Sequence, residues 1–125
     1  MSAENFEALL AQKSINASEL ETLLTARSEQ KINFVLIDTR EKYERMRRHI
    51  DGTDVVLHAS GFYPKVKTLK DKDRLYILYC SNGSRSALNA QNMRELGYKR
   101  VLNLSKGIES CSGKIIKTND DVNAP

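Results

Sequence analysis

The sequence predicts an α/β domain built on a largely parallel sheet, and three observations carry that prediction. Helical and strand signals alternate along the chain, as they do where strands are joined by crossover helices. The strand signal Ile32 to Asp38 is apolar almost throughout, as central strands of parallel sheets are. A second one, Leu75 to Tyr79, is rich in aromatic and branched residues and runs straight into a thiol, a tight turn and a helix. The chain has 125 residues, enough for one compact domain with a proper core. No repeat or linker divides it, so residues 1–125 are expected to form one domain with its core over about 15–116.

Ser2 to Gln12 is predicted to form an amphipathic helix with Phe6, Leu9 and Leu10 on one side. Asn16-Ala17-Ser18-Glu19 reads as an N-cap with its reciprocal acid three residues on, and Leu20, Leu23 and Leu24 follow at helical spacing. After the Ile32 to Asp38 strand comes a short polar helix over Glu41 to Arg47, then a strand over Asp54 to His58. Gly61 to Leu69 is ambiguous, a helix only if it tolerates Pro64 near its start. Leu75 to Tyr79 feeds a helix over Ser84 to Leu96, with Ala87, Leu88, Ala90, Met93 and Leu96 at core spacing. Gly97 supplies a left-handed C′ position and Tyr98 a C″ contact. Val101 to Leu104 is the last expected strand. Gly107 and Gly113 mark turns, and the polar tail 118–125 is expected to fray.

The formal charge is +4, from 20 basic and 16 acidic side chains. That mild excess suits small anions or acidic partners and does not argue for nucleic acid, since no basic stripe interleaved with aromatics occurs. Arg45, Arg47, Arg48, Lys65, Lys67, Lys70 and Lys72 read first as a solvated surface and second as a face for an acidic protein. Cys80 and Cys111 make no disulfide framework, and with His49 and His58 they have no metal-ligand spacing. A reducing cytoplasm is the expected compartment. The acidic N-terminus lacks a basic n-region and a long apolar stretch, so neither a signal peptide nor a membrane span is expected.

Chemistry is concentrated at Cys80-Ser81-Asn82-Gly83-Ser84-Arg85. Backbone N–H groups at a tight turn and a helix N-terminus carry partial positive charge. A thiolate held there is stabilised, so the Cys80 pKa is expected to fall below the free value of about 8.5. Taken alone, Cys80 reads first as a small buried apolar residue at a strand end. With Gly83, Arg85 and the helix start beside it, the nucleophile is the stronger reading.

At this point the chain resembles the rhodanese family. Ile15-Asn16-Ala17-Ser18-Glu19-Leu20 is similar to the family's opening segment, and Val35-Leu36-Ile37-Asp38-Thr39-Arg40-Glu41 to its aspartate-x-arginine strand end. His49-Ile50-Asp51-Gly52 resembles its His-Ile-x-Gly turn, and Cys80 to Ser86 its active-site loop. Leu96-Gly97-Tyr98 and Val101 to Leu104 resemble the family's next helix end and strand. Lys106-Gly107-Ile108 resembles its closing Gly-Gly-Ile motif, with lysine in place of the first glycine. Each match alone is weak; their order and spacing together are specific.

The resemblance implies a three-layer fold with a five-stranded parallel sheet flanked by helices. It implies a sulfurtransferase that moves sulfane sulfur from thiosulfate, polysulfide or a protein persulfide to a thiol or cyanide acceptor, with Cys80 as carrier. Ser81, Asn82, Gly83, Ser84 and Arg85 would bind the substrate, the loop N–H groups holding the persulfide and Arg85 an anionic donor. No cofactor is expected, and the protein would be a monomer or homodimer. Asp38, Arg40 and Glu44 are read as support rather than chemistry: Asp38 oriented toward the loop, Arg40 paired with Glu44 one turn on. His49 is expected in a turn, and neither His49 nor His58 is expected to act on Cys80. Cys111 stands where the family commonly has a tryptophan. It reads as a small core residue in a large slot, ahead of a resolving thiol for a Cys80 persulfide.

Two rival functions remain. Cysteine phosphatases and arsenate reductases related to this fold have one more residue between cysteine and arginine, giving a wider loop. Here four residues, Ser81 to Ser84, intervene, which suits a single sulfur atom better. Non-catalytic binding modules of the family usually lack the cysteine, which is present here.

Overall fold

The computed structural model describes residues 3–58, 65–113 and 115–117, with residues 3–6 as backbone only. Five strands form one parallel sheet in the order β1 (Ser14–Ile15), β6 (Arg100–Leu104), β5 (Leu75–Tyr79), β2 (Val35–Asp38), β4 (Val55–Val56). The strand that leads into Cys80 is thus the middle one. The remaining strands, β3 (Arg48–Ile50) and β7 (Ile115–Lys117), pair antiparallel in a separate ribbon.

Strand alternation sorts the core into two halves. Leu36, Leu75, Ile77, Tyr79, Leu102 and Leu104 point to one side of the sheet, against Leu20, Leu23 and Ala26 of α2 (Ala17–Ser28). Val35, Ile37, Tyr76, Leu78 and Val101 point to the other, against Ala90 and Met93 of α4 (Ser84–Glu95). Helices therefore flank both faces, giving three layers. Helix α1 (Ala3–Leu10) adds Leu9 to the first half, and α3 (Lys42–Arg47) buries no residue. Among the described residues no helix is long and apolar enough to cross a membrane.

The caps act as their chemistry predicts. Asn16 Oδ1 accepts the Glu19 N–H at 2.8 Å while Glu19 Oε1 accepts the Asn16 N–H at 2.9 Å, a complete capping box. At the end of α4, Gly97 has φ 99°. The Gly97 N–H reaches the Arg94 carbonyl and the Tyr98 N–H the Met93 carbonyl, the two bonds of a Schellman cap.

Several expectations are corrected. The buried stripe of α4 is Ser86, Asn89, Ala90 and Met93; Ala87 and Leu96 are exposed and Leu88 is 64 % exposed. The helix is rotated because Ser86 turns inward to bond Asn103 of β6, and polar positions then carry part of the sheet-facing side. His49 lies in β3, and the turn comes after it at Asp51 and Gly52. The strand over Asp54 to His58 shrinks to Val55–Val56. Asp54 is drawn out of it, its Oδ2 accepting from Arg27 at 2.6 Å and from the Leu36 N–H at 2.8 Å. Of Gly61 to Leu69 only residues from Lys65 on are described; Val66 is buried there and Thr68 and Leu69 close turns onto Lys65 and Val66. The Phe6 side chain and the tail 118–125 lie outside the described residues.

Candidate active site

Cys80 comes directly after β5 and is fully buried. Three donors reach its Sγ: the Gly83 N–H at 3.1 Å, and the Ser86 N–H and hydroxyl at 3.4 Å each. Burial by itself would push the thiol up. Hydrogen bonds from the Ser86 hydroxyl and N–H, and from the Gly83 and Asn82 N–H groups, outweigh it and hold the thiol below its ordinary value.

The loop takes this shape because its carbonyls are held outward. The Ile108 N–H donates to the Cys80 carbonyl at 2.9 Å and the Glu109 N–H to the Ser81 carbonyl at 3.0 Å. Both donors belong to a 3₁₀ turn, Ile108–Ser110, whose first N–H groups have no partner within the turn. Gly107 permits the close approach: at φ 65°, any Cβ there would overlap the Cys80 and Ser81 carbonyls. Gly83, at φ 97°, is equally constrained, since a Cβ would overlap the Ser105 carbonyl. With the carbonyls tied back, the N–H groups face the sulfur.

The remaining loop residues form the mouth. Asn82 and Ser84 are exposed, and Asn82 Oδ1 accepts from the Ser84 N–H at 3.1 Å and from its hydroxyl at 2.8 Å. Arg85 makes a two-pronged ion pair with Glu44 of α3, Nη1 to Oε1 at 3.1 Å and Nη2 to Oε2 at 3.0 Å. Ser81 donates to Glu44 Oε2 at 2.9 Å. Arg85 above all, with the Glu41 N–H and the Ser81 hydroxyl, brings the Glu44 carboxyl down to about 2 against the opposing effect of burial.

This pairing corrects one expectation. Arg40 does not meet Glu44. Its Nε and Nη2 donate to Asp38 Oδ1 at 3.1 Å and Oδ2 at 3.0 Å, and its backbone N–H adds a bond to Oδ1 at 2.9 Å. Arg40 precedes α3, so the helical i, i+4 geometry that would align it with Glu44 never begins there. The Asp38–Arg40 pair is buried. The Tyr79 hydroxyl donates to Asp38 Oδ2 at 3.2 Å and takes the Ile50 N–H at 3.2 Å. Burial pushes that phenol up to about 12. Asp38 and Arg40 thereby anchor Tyr79, the residue before Cys80, and make no hydrogen bond to the sulfur itself.

Neither histidine is among the hydrogen-bond partners of Cys80. His58 Nδ1 donates to the Arg40 carbonyl at 2.6 Å, and His49 Nδ1 is buried without a hydrogen-bond partner among the described residues. Cys111 is a free, half-buried thiol with its Sγ 3.9 Å from the Gly107 carbonyl oxygen, and burial pushes it up. It lines a groove of about 690 Å³ between α2 and the segment after the 3₁₀ turn, with Leu20, Leu24, Ile50 and Ile115. Cys80 does not line that groove.

Two contributors were given no role by sequence reasoning, although Ser86 ends the loop resemblance. Ser86 sits at the third helical position, where its side chain and N–H both turn back to the thiol. Asn103 accepts from the Ser86 hydroxyl and donates to the Gly83 carbonyl at 3.4 Å. Its signal was a polar residue inside the apolar run Val101 to Leu104.

A parallel five-stranded sheet whose middle strand delivers a cysteine beneath a helix N-terminus defines a class of α/β domain organised around a cradled thiol. The chain belongs to the rhodanese-like domain family, whose model matches residues 16–114. Among curated relatives, YrkF of Bacillus subtilis, named for a proposed sulfur-carrier role, is 30% identical over 103 residues. The match takes in 79% of this chain and 55% of YrkF. The tRNA sulfurtransferase of Shewanella amazonensis is 34% identical over 86 residues, 67% of this chain and 17% of that protein. The chain thus spans about half of one relative's length and a small part of the other's. Among solved structures, the solution structure of a rhodanese-like domain from Anabaena sp. superposes with a TM-score of 0.70 at 17% identity. That alignment covers 85% of this chain and 80% of that one, and it bears on the fold.

Proposed function

We propose that this chain is a sulfurtransferase that carries sulfane sulfur as a persulfide on Cys80. The observation behind it is the convergence of N–H and hydroxyl donors on Cys80 Sγ within a loop of four residues between Cys80 and Arg85. The names of the two relatives, which refer to sulfur carriage and sulfur transfer, support the reading.

The chemistry is set by the charges. The Cys80 thiolate attacks the outer sulfur of a persulfide RSSH; the new S–S bond forms as the old one breaks, and its electron pair leaves with RS⁻. With thiosulfate the same attack releases sulfite. Cys80 then bears an outer sulfur that is anionic once its proton is lost, and the loop N–H groups stabilise it. A thiolate acceptor attacks that outer sulfur, takes it away as a new persulfide and returns Cys80 as thiolate; cyanide would leave as thiocyanate. Arg85, Ser81, Asn82, Gly83 and Ser84 form the loop that admits donor and acceptor, while Asp38, Arg40 and Glu44 hold its base and rim. Donors that hold the Cys80 thiol below its ordinary value take over the part a histidine base would play.

The test is to incubate the purified protein with thiosulfate and with polysulfide and to weigh it intact. The mass of one added sulfur atom, removed by a thiol and absent in Cys80→Ser, is the expected result. No adduct with either donor overturns the proposal.

A further inference from the structure

Arg85 closes the loop and, by sequence, is the cation an anionic donor would meet. In the folded protein its two terminal nitrogens both face Glu44. Glu44 is itself fixed by three partners: Arg85, the Ser81 hydroxyl at 2.9 Å, and the Glu41 N–H at 3.0 Å. Its side chain is 18 % exposed and that of Arg85 38 %, so the pair lies at the rim of the site and is partly shielded from solvent. A guanidinium whose two terminal nitrogens are held end-on by one carboxylate keeps only its Nε edge for another oxyanion, and here Nη2 also reaches the Ser81 hydroxyl at 3.4 Å. The carboxylate, ionised throughout the neutral range, cancels its charge.

Thiosulfate asks for the opposite. When its sulfane sulfur reaches Cys80, its sulfonate group must rest at the mouth, and two negative charges then approach a thiolate. With Arg85 paired to Glu44, that dianion meets no net positive charge from the one arginine of the loop. An organic persulfide brings one negative charge at most at its reacting sulfurs and releases a thiolate.

We propose that Glu44 is a donor-selecting residue: by engaging Arg85 it disfavours doubly charged oxyanion donors such as thiosulfate and leaves the site to organic persulfides. This rests on the sulfurtransferase reading above and sharpens its donor class. Glu44 touches neither the sulfur nor the donor in the chemical step; it acts through Arg85.

The experiment measures kcat/KM for cysteine persulfide and for thiosulfate, with dithiothreitol as common acceptor, in the native protein, Glu44→Gln, Glu44→Asp, Arg85→Gln and the double variant Glu44→Gln/Arg85→Gln. Inhibition by sulfate against cysteine persulfide is measured alongside, and circular dichroism verifies each fold. Glu44→Gln should raise the thiosulfate-to-persulfide ratio of kcat/KM by about tenfold or more, equivalent to about 1.4 kcal/mol, mainly through the thiosulfate KM. It should tighten sulfate inhibition by a similar factor. Glu44→Asp, which keeps the charge, should stay within about threefold of the native ratio. In the Arg85→Gln background the effect of Glu44→Gln should vanish. An unchanged ratio in Glu44→Gln, or an equal rise without Arg85, overturns the inference while leaving sulfur transfer intact. A native protein that moves sulfur from neither donor overturns the underlying reading, and this one with it.

Discussion

Cys80 and Cys111 are the chain's two cysteines, both free and both withdrawn from solvent, yet their surroundings drive them in opposite directions. Cys80 is the more deeply buried, and burial should make it the weaker acid. It is instead the stronger one, because N–H groups and a hydroxyl point at its sulfur. The Cys111 Sγ lies 3.9 Å from the Gly107 carbonyl oxygen, the Ser110 side chain offsets burial only in part, and the Cys111 N–H is committed to the Ile108 carbonyl at 3.0 Å. Depth therefore does not rank these thiols. What ranks them is whether enough donors point at the sulfur to outweigh burial, as they do at Cys80 and do not at Cys111.

The comparison is broken most severely by removing the cradled sulfur. Cys80→Ser should lower sulfur transfer from every donor by about a thousandfold or more, with the circular dichroism spectrum unchanged. Retention of a tenth of native turnover would move the chemistry elsewhere. Gly83→Ala comes next. It forces a Cβ onto the Ser105 carbonyl at φ 97°, so the loop must open or the chain lose about 2 kcal/mol or more. Thermal unfolding together with thiolate absorbance should register a lower midpoint and a thiol that ionises later.

Ser86→Ala is a gentler cut, removing one donor and leaving the N–H groups in place. The Cys80 pKa should rise, so the acid limb of the transfer-rate profile shifts to higher pH and the rate at neutrality falls about tenfold. An unmoved profile would mean that the N–H groups suffice.

The smallest effect separates the thiols by pH. A depressed thiol stabilises the fold above its unfolded value of about 8.5, and that contribution is lost as pH falls through its folded value. A raised thiol stabilises below about 8.5 and loses its contribution as pH climbs through its folded value. From about pH 6 to pH 9.5, Cys80→Ser should therefore become more destabilising relative to the native protein, and Cys111→Ala less so. Cys111→Ala should keep most transfer activity and lower the unfolding midpoint by a few degrees. An intramolecular Cys80–Cys111 disulfide on oxidation would merge the two roles.

Much of this contrast was legible in local sequence, because the cradle is largely written in consecutive residues. A strand, Cys80, Gly83 and a helix start are enough to predict inward N–H groups. Asn16 with Glu19, and Gly97 with Tyr98, set helix ends for the same reason: the partners are near in sequence. What escaped was assembled from afar. Strands β1, β3 and β7 have two or three residues each, too few for alternation to register. Leu88 sits at core spacing and is exposed because Ser86 is claimed by Asn103, a decision made on another strand. Arg40 was misassigned for a related reason. Asp38, two residues back, captures it before the helix that would have offered Glu44 begins.

The 3₁₀ turn at Ile108–Ser110 has a consequence for the order of events during synthesis. Cys80 leaves the ribosome well ahead of Gly107, Ile108 and Glu109, whose contacts hold the loop carbonyls outward. The donors that reach the sulfur, from Asn82 to Ser86, are made soon after it, while the contacts that tie back the Cys80 and Ser81 carbonyls are made some way later. The cradle is therefore finished last by the segment that follows β6, which makes the far end of the domain a keeper of the loop's shape.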